Sequence, residues 1–397
     1  MSKTTLAGIM VLDATRVVAG PFCGLILADL GAEVIKVEMP GTGDETRTGA
    51  PFLNGESTYF HSINRNKKGI TLNLSKPEAQ KIFKELVKTA DVVLENFTPG
   101  TMEGFGLGYE ELSKINPRIV MASVSGFGQK NSPYVTKVAY DPIAQAMGGI
   151  ASLNGYPDGP PTKVGVALGD ISAALYTTVG ICAALYERGV SGTGQHIDVA
   201  MTDSIFSILE HAVLRYTASG NVAGRIGNRH PALSPYNFYE TSNGWVAVGT
   251  ASNSVANRLA DAIGKPELKD DPRYSSNVER LKNAAYLEPL IKDWMIERTK
   301  EEVIELFNEH DVPIGPIYAI DEAVKDPHFM QRGMLVEVEH PTAGTMKLVG
   351  PTIKFSKTPS KVDKAGPMLG QHNDEVFKGI LRMTDEELNR LKEAKVI

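Results

Sequence analysis

Cysteine is nearly absent from this chain. Only Cys23 and Cys182 occur among 397 residues, both in apolar helical pattern. That excludes a disulfide framework and makes buried free thiols in a reducing compartment the expectation. Dense Lys/Arg blocks are missing too. The formal net charge is −6, and no stretch has the basic footprint of a nucleic-acid binder. The longest apolar run, Ile171 to Tyr186, is interrupted by Ser and Thr and is short for a bilayer, so no membrane partner is expected. No charged-then-apolar leader opens the chain, because "MSKTTLAGIMVLDATRV" runs straight into a strand pattern, and the expected location is cytoplasmic. Internal repeats and low-complexity tracts are absent as well.

Familiar catalytic motifs are equally scarce. "GTGDETRTG" begins like a dinucleotide fingerprint, but Thr46 stands where the third glycine belongs, and no G-x-x-x-x-G-K-[ST] loop occurs. "SVSGFG" presents Ser125 without the leading glycine of a nucleophile elbow. The eight histidines are scattered, with no H-x-x-x-H or C-x-x-C spacing, so no metal site is expected.

What is present is ordinary globular composition, 42% hydrophobic and 22% charged, with alternating strand and helix signals. "IMVLDA", "PFCGLILADLGA" and "EVIKVE" form one βαβ unit. "GITLNL", a helix opened by Pro77, and "DVVLEN" form a second. "RIVMASVSGFG" and "HIDVAM" continue the series, which predicts an open, mainly parallel α/β sheet with helices on both faces. From Thr217 the sequence loses its period in a Gly/Pro/Asn-rich stretch, then resumes with the strand "GWVAVGT" and helices over 254–264 and 277–298. The expected division is a large domain over 1–216, a small α+β domain over 217–326, and a return to the large domain over 327–397. There, "MLVEVEHPTAGTMKLVG" predicts a hairpin, and a capped helix begins at Thr384.

Asp170 is the residue that needs explaining. It is a lone carboxylate between Gly169 and Ile171 at the start of a long apolar helix. Two roles fit: an N-cap for that helix, or a carboxylate nucleophile. A partly dehydrated carboxylate can attack a thioester to give a mixed anhydride, which keeps the acyl group activated where a serine ester would not. Small neighbours, Gly169, Ser172 and Ala173, leave room for an acyl group.

The chain resembles the family III coenzyme A transferases, which include the formyl-CoA:oxalate and carnitine CoA-transferases. The likeness rests jointly on "VLDATRVVAGPFCGLILADLGAEVIKVE", "GTGDETR", "INRNKKGITLNL", "DVVLENFTPG", "YDPIAQAMGG", "ALGD", "GNRHPALSPY" and "LGQHNDEV". It implies a Rossmann-like large domain built from both chain ends, a small domain, and an interlocked homodimer. Asp170 matches the family's catalytic aspartate, which tips its reading toward the nucleophile. Val18 and Ala19 match a loop facing the CoA thioester. Leu72, Asn73, Asn96 and Phe97 match the nucleotide-end pocket, and Lys137 and Tyr140 a segment near the pantetheine and acyl group. Arg47 and Arg65 are candidate partners for phosphate or carboxylate. Backbone N–H groups around Val18 or Gly227 are candidate oxyanion donors.

The resemblance thus implies CoA transfer from an acyl-CoA donor to a free carboxylic acid, through aspartyl anhydride and aspartyl-CoA thioester intermediates. CoA thioesters are the substrates, and no other cofactor is implied. This chain departs from the formyl-transferase branch. Val18 replaces a Gln, "RIGNRHPAL" replaces a glycine-run loop, and two CoA-site arginines fall on Met39 and Gly104. Those departures point away from an oxalate-type acid. Two alternatives share the fold. An α-methylacyl-CoA racemase would use a His–Asp pair, but Tyr140–Asp141 stands here. A non-catalytic paralogue is the other, against which stands the retained Asp170.

Overall fold

The computed structural model describes residues 4–397. The chain forms two compact units. One takes in the chain up to Ile150, Lys163–Val213 and Pro327–Ile397; the other is Ala151–Thr162 with Leu214–Asp326.

The first unit is built on six strands: β1 (Met10–Asp13), β2 (Glu33–Glu38), β3 (Lys68–Thr71), β4 (Val92–Glu95), β5 (Val120–Ser125) and β6 (His196–Ala200). Their order is β3-β2-β1-β4-β5-β6, and every pairing is parallel. This is the order of a doubly wound nucleotide-binding sheet, whose crevice opens beyond the carboxyl ends of β1 and β4. Because side chains alternate along a strand, the sheet feeds two cores. Leu12, Ile35, Ile70, Val93 and Met121 pack on one face; Val11, Val34, Val92, Leu94 and Val120 pack on the other.

Four helices matter most for the site: α1 (Ala19–Asp29), α2 (Pro77–Val87), α3 (Asp141–Met147) and α4 (Leu168–Ser191). Phe83 and Leu86 of α2 cover the first face, joined by Phe377 and Leu391 from the C-terminal helices. The last of these, Asp385–Glu393, is capped by Thr384 and Glu387 as the sequence predicts. Cys23 and Leu27 of α1 and Ala173, Ala174 and Ile181 of α4 cover the second face. Helix α4 is longer than its apolar run, at 24 residues, and by length and composition alone could cross a membrane. Its fully buried Ala173, Ala174 and Ile181 make it a core helix of this unit instead. The hairpin expected after Met334 forms between Leu335–His340 and Gly344–Val349.

The second unit carries a three-stranded antiparallel sheet of Tyr236–Thr241, Gly244–Gly249 and Ile314–Pro316 over its own core, which includes Leu259, Leu287 and Phe307. Two boundaries differ from expectation. The unit starts at Leu214 rather than 217, and it recruits 151–162 from the stretch assigned to the large domain. Hydrogen bonds to the carbonyls of this stretch explain the recruitment. The Gly227 N–H donates to the Gly155 carbonyl at 3.0 Å, and the Arg225 guanidinium donates to the carbonyls of Tyr156 and Gly159 at 3.2 and 2.7 Å. The helix expected over 277–298 is two helices, Asn277–Lys282 and Ala284–Ile296, broken where the Asn283 amide donates back to the Glu279 carbonyl.

Candidate active site

A cavity of roughly 100 Å³ opens at the carboxyl edge of the sheet, where β1 and β4 diverge. Val17, Val18 and Ala19 follow β1, Asn96, Phe97 and Pro99 follow β4, Ser125 ends β5 and Gly126 follows it; Lys137, Tyr140 and Asp170 also line the wall.

Asp170 is not the cap of its helix. The N-cap is Ala167, and Asp170 lies inside the first turn of α4. The capping is done from outside, by Asp141 at the start of α3, whose Oδ1 accepts the Gly169 N–H at 2.8 Å. Asp141 is buried and also accepts both oxygens' worth of hydrogen bonds from Gln145 Nε2, at 3.0 and 2.9 Å. The Asp170 side chain, by contrast, has no hydrogen bond or ion pair among the described residues. Burial, and then the nearby charge of Asp141, push its carboxyl up to about 7. The result is a half-buried, unusually basic carboxylate facing a cavity. Gly169 permits this packing, since a Cβ there would stand 2.9 Å from the Ala144 Cβ of α3.

The wall opposite is held under strain. Val17 has φ +65°, a left-handed conformation that a β-branched residue rarely adopts. A buried ion pair brackets it. Lys36 Nζ donates to Asp44 Oδ2 at 2.8 Å and to the Thr15 carbonyl at 2.9 Å, while Asp44 Oδ1 accepts the Val17 N–H at 3.3 Å. Burial works against ionisation of Asp44, yet Lys36 and the Thr46 N–H and hydroxyl hold its carboxyl below the usual range. A second buried pair joins Lys67 Nζ to Asp13 Oδ2, on the last residue of β1, at 2.8 Å. These charges anchor the loop that shapes the cavity, and none of them was singled out by sequence reasoning.

Comparison with known proteins gives the family. The family model described as CoA-transferase family III matches residues 6–373. The chain belongs to CoA-transferase family III. It is 41% identical to a succinyl-CoA–D-citramalate CoA-transferase of Chloroflexus aurantiacus, covering 99% of this chain and 98% of that one. It is 37% identical to the human succinyl-CoA:glutarate CoA-transferase, covering 99% and 90%. A crystal structure of a CaiB/BaiF family protein from Brucella suis superposes with a TM-score of 0.85 at 36% identity, covering 95% of this chain and all of that one. The curated relatives are named as CoA-transferases, and the chain is an enzyme of this family.

Of the positions that the family resemblance picks out, the structure brings Val18, Ala19, Asn96, Phe97, Lys137, Tyr140 and Asp170 to one cavity. Asn96 is locked there by exchanging two hydrogen bonds with the Arg16 backbone, at 2.9 and 2.8 Å. Phe97 stands edge-on to Phe105 with the Arg16 guanidinium 5.7 Å from its ring centre. Lys137 is exposed, its ammonium 4.5 Å from the Tyr134 ring centre, and it has no ion pair among the described residues. Leu72 and Asn73 lie elsewhere in the first unit: Leu72 is core, and Asn73 bonds the Ser75 hydroxyl and N–H in the turn before α2.

Both candidate arginines are already occupied. Arg47 forms a two-point pair with Glu38, 2.7 Å at each contact, and donates to the Pro367 carbonyl. Arg65 is buried on Asp29, at 3.2 and 2.6 Å. The carboxylates that these guanidiniums hold belong to this chain. Gly227 belongs to the second unit, and its N–H is spent on Gly155, so it is no free oxyanion donor. Sequence reasoning also missed Ser125 as a cavity residue; its place at the end of a buried strand was the available signal.

One cluster has metal-ligating composition: Glu56, His61 and His340. His340 argues against a metal there. Its Nδ1 accepts the Thr342 and Ala343 N–H groups at 3.2 and 3.0 Å, which puts the ring proton on Nε2 and leaves no lone pair facing the cluster. Burial and the neighbouring His340 push the His61 imidazole down to about 4, so both rings serve as neutral packing.

Proposed function

We propose that this enzyme moves CoA from a dicarboxylic acyl-CoA, with succinyl-CoA the reference donor, to a second free carboxylic acid. The observation that carries the reading is Asp170: a half-buried carboxyl raised to about 7, without a hydrogen-bonding partner, in the crevice of a doubly wound sheet. The relatives named above use succinyl-CoA with citramalate or glutarate, which supports a dicarboxylic donor and acceptor.

In this mechanism an Asp170 oxygen attacks the thioester carbonyl, the C–S bond breaks, and CoA thiolate leaves from an aspartyl anhydride. The thiolate then attacks the aspartyl carbonyl, releasing the donor acid and leaving an aspartyl-CoA thioester. The acceptor carboxylate attacks that thioester, giving a new anhydride and thiolate. Attack of the thiolate on the acceptor's acyl carbon yields the new acyl-CoA and regenerates Asp170. No water and no net proton enter, so no metal or redox cofactor is called for. The exposed Lys137 ammonium, without an ion pair among the described residues, is suited to an anionic group of the substrate.

Tied up by Gly169 and Gln145, Asp141 is poorly placed to serve as a racemase base. We further propose a homodimer of intertwined chains in the cytoplasm. Support comes from the exposed apolar residues of α4, Leu175, Val179, Tyr186 and Val190, and from two free cysteines. Sedimentation tests the dimer, with a folded, active monomer contradicting it.

Activity is tested by incubating succinyl-CoA with a panel of free acids and following acyl-CoA products by mass spectrometry. Transfer to a dicarboxylate is expected, with at least a tenfold loss in Asp170→Asn, equivalent to about 1.4 kcal/mol of barrier. Deuterium exchange at the α-carbon of a 2-methylacyl-CoA without any CoA transfer would instead favour the racemase.

A further inference from the structure

Gln145 lies on α3, one turn after Asp141, and is fully buried. Its Oε1 accepts the Val164 N–H at 2.7 Å. Its Nε2 donates to both oxygens of Asp141, at 3.0 and 2.9 Å, and reaches the Val166 carbonyl at 3.3 Å. These partners fix which end of the amide is which, since an N–H meets one end and a carboxylate and a carbonyl meet the other. Val164 and Val166 belong to the segment that leads into α4. One side chain therefore ties Asp141 to the approach to Asp170.

The two acids have unequal surroundings. Asp141 accepts from Gln145 and from the Gly169 N–H, and such donors favour a carboxylate over a carboxylic acid. Asp170 has no donor among the described residues. We propose that Gln145 is a positioning residue, whose amide keeps the negative charge on Asp141 and so leaves the proton of the pair to Asp170. Without that amide the proton passes to Asp141, and Asp170 becomes a carboxylate at lower pH. The other titratable groups around the pair are few. Burial, and then the charge of Asp170, push the Tyr59 hydroxyl up. Cys23 of α1 is pushed up to about 12 by burial. Arg16, Glu45, Lys137 and Tyr140 line the cavity, while Asp203, on the helix packed against α3 and α4, lines a different one.

The role of Asp170 in this proposal rests on the transferase reading above, so two readouts are needed. One is the pH midpoint of kcat/KM with succinyl-CoA. The other needs no catalysis: the pH at which the melting-temperature gain of Asp170→Asn levels off. Gln145→Met, similar in size but without a donor, is expected to lower both by about one pH unit, tenfold in proton affinity. Gln145→Glu shares one proton with Asp141 and still donates to it, so it should keep both within about twofold of wild type. In the Asp141→Asn background, Gln145→Met should cause no further fall. A lower melting temperature and kcat in Gln145→Met with both midpoints unmoved would mean a merely structural role and overturn the proposal. A further fall in the Asp141→Asn background would overturn it as well. If Gln145→Met does not fold, Gln145→Glu decides alone, and a midpoint lowered by about a unit there overturns the proposal. Absence of CoA transfer in wild type would end the transferase reading, and the melting readout would then decide on Gln145.

Discussion

Asp141 accepts the Gly169 N–H at 2.8 Å and so relieves Asp170, the next residue, of any capping duty. Two acids at one helix start have thereby divided the work. One is buried and hydrogen-bonded; the other has no hydrogen-bonding partner among the described residues, and the first charge helps raise the pKa of the second.

That coupling fixes the pH profile. In the proposed mechanism the Asp170 carboxylate is the nucleophile, so kcat/KM should rise with pH and level off above about 7. Asp141→Asn keeps an oxygen for the Gly169 N–H but removes the charge. Its midpoint should move to lower pH, only part of the way to an ordinary aspartate, since burial is the larger cause. A midpoint that stays put or rises contradicts the coupling.

The same shift predicts stability. A carboxyl whose folded pKa is raised to about 7 from 3.8 binds its proton more tightly when folded. Its neutral form therefore favours the fold, and stability declines as pH climbs from about 4 to about 7 and then stays level. Asp170→Asn should melt higher than wild type at pH 8, and the gap should close as pH falls toward 4. A gap of constant size across that range would mean that Asp170 ionises as freely in the fold as in the unfolded chain.

Gly24 supplies a reversal of the usual helix rule. Gly→Ala in a helix interior ordinarily stabilises by about 0.5–1 kcal/mol. In α1 a Cβ at Gly24 would stand 2.6 Å from Asp13 Oδ2 and 3.1 Å from Lys67 Nζ. Gly24→Ala should therefore destabilise, by up to the roughly 3–5 kcal/mol that follows from breaking a buried ion pair. Urea unfolding measures it, and a stabilised variant would show that the pair can move aside.

Sequence periodicity was enough to place all six strands of the parallel sheet, because each is a short apolar run between turn signals and each alternates with a helix. It could not place 151–162, a stretch without strand or helix period, whose attachment depends on hydrogen bonds from the Arg225 guanidinium, the Gly227 N–H and the Asn228 amide. The site was partly legible. Asp170 stood out as an isolated charge in an apolar run. Arg47 and Arg65 misled because a sequence does not show which carboxylate, a ligand's or Glu38 and Asp29, satisfies a guanidinium. Ser125 was set aside for lacking a hydrolase elbow; only the fold places it at the end of β5 among the residues that line the cavity.

The central claim is that Asp170 carries the acyl group. Incubating the enzyme with succinyl-CoA in the absence of an acceptor acid, adding hydroxylamine, and mapping peptides by mass spectrometry tests it most directly. The account predicts a hydroxamate on Asp170 and none in Asp170→Asn. An unmodified Asp170 in enzyme that turns over, with the adduct on another residue, would contradict it.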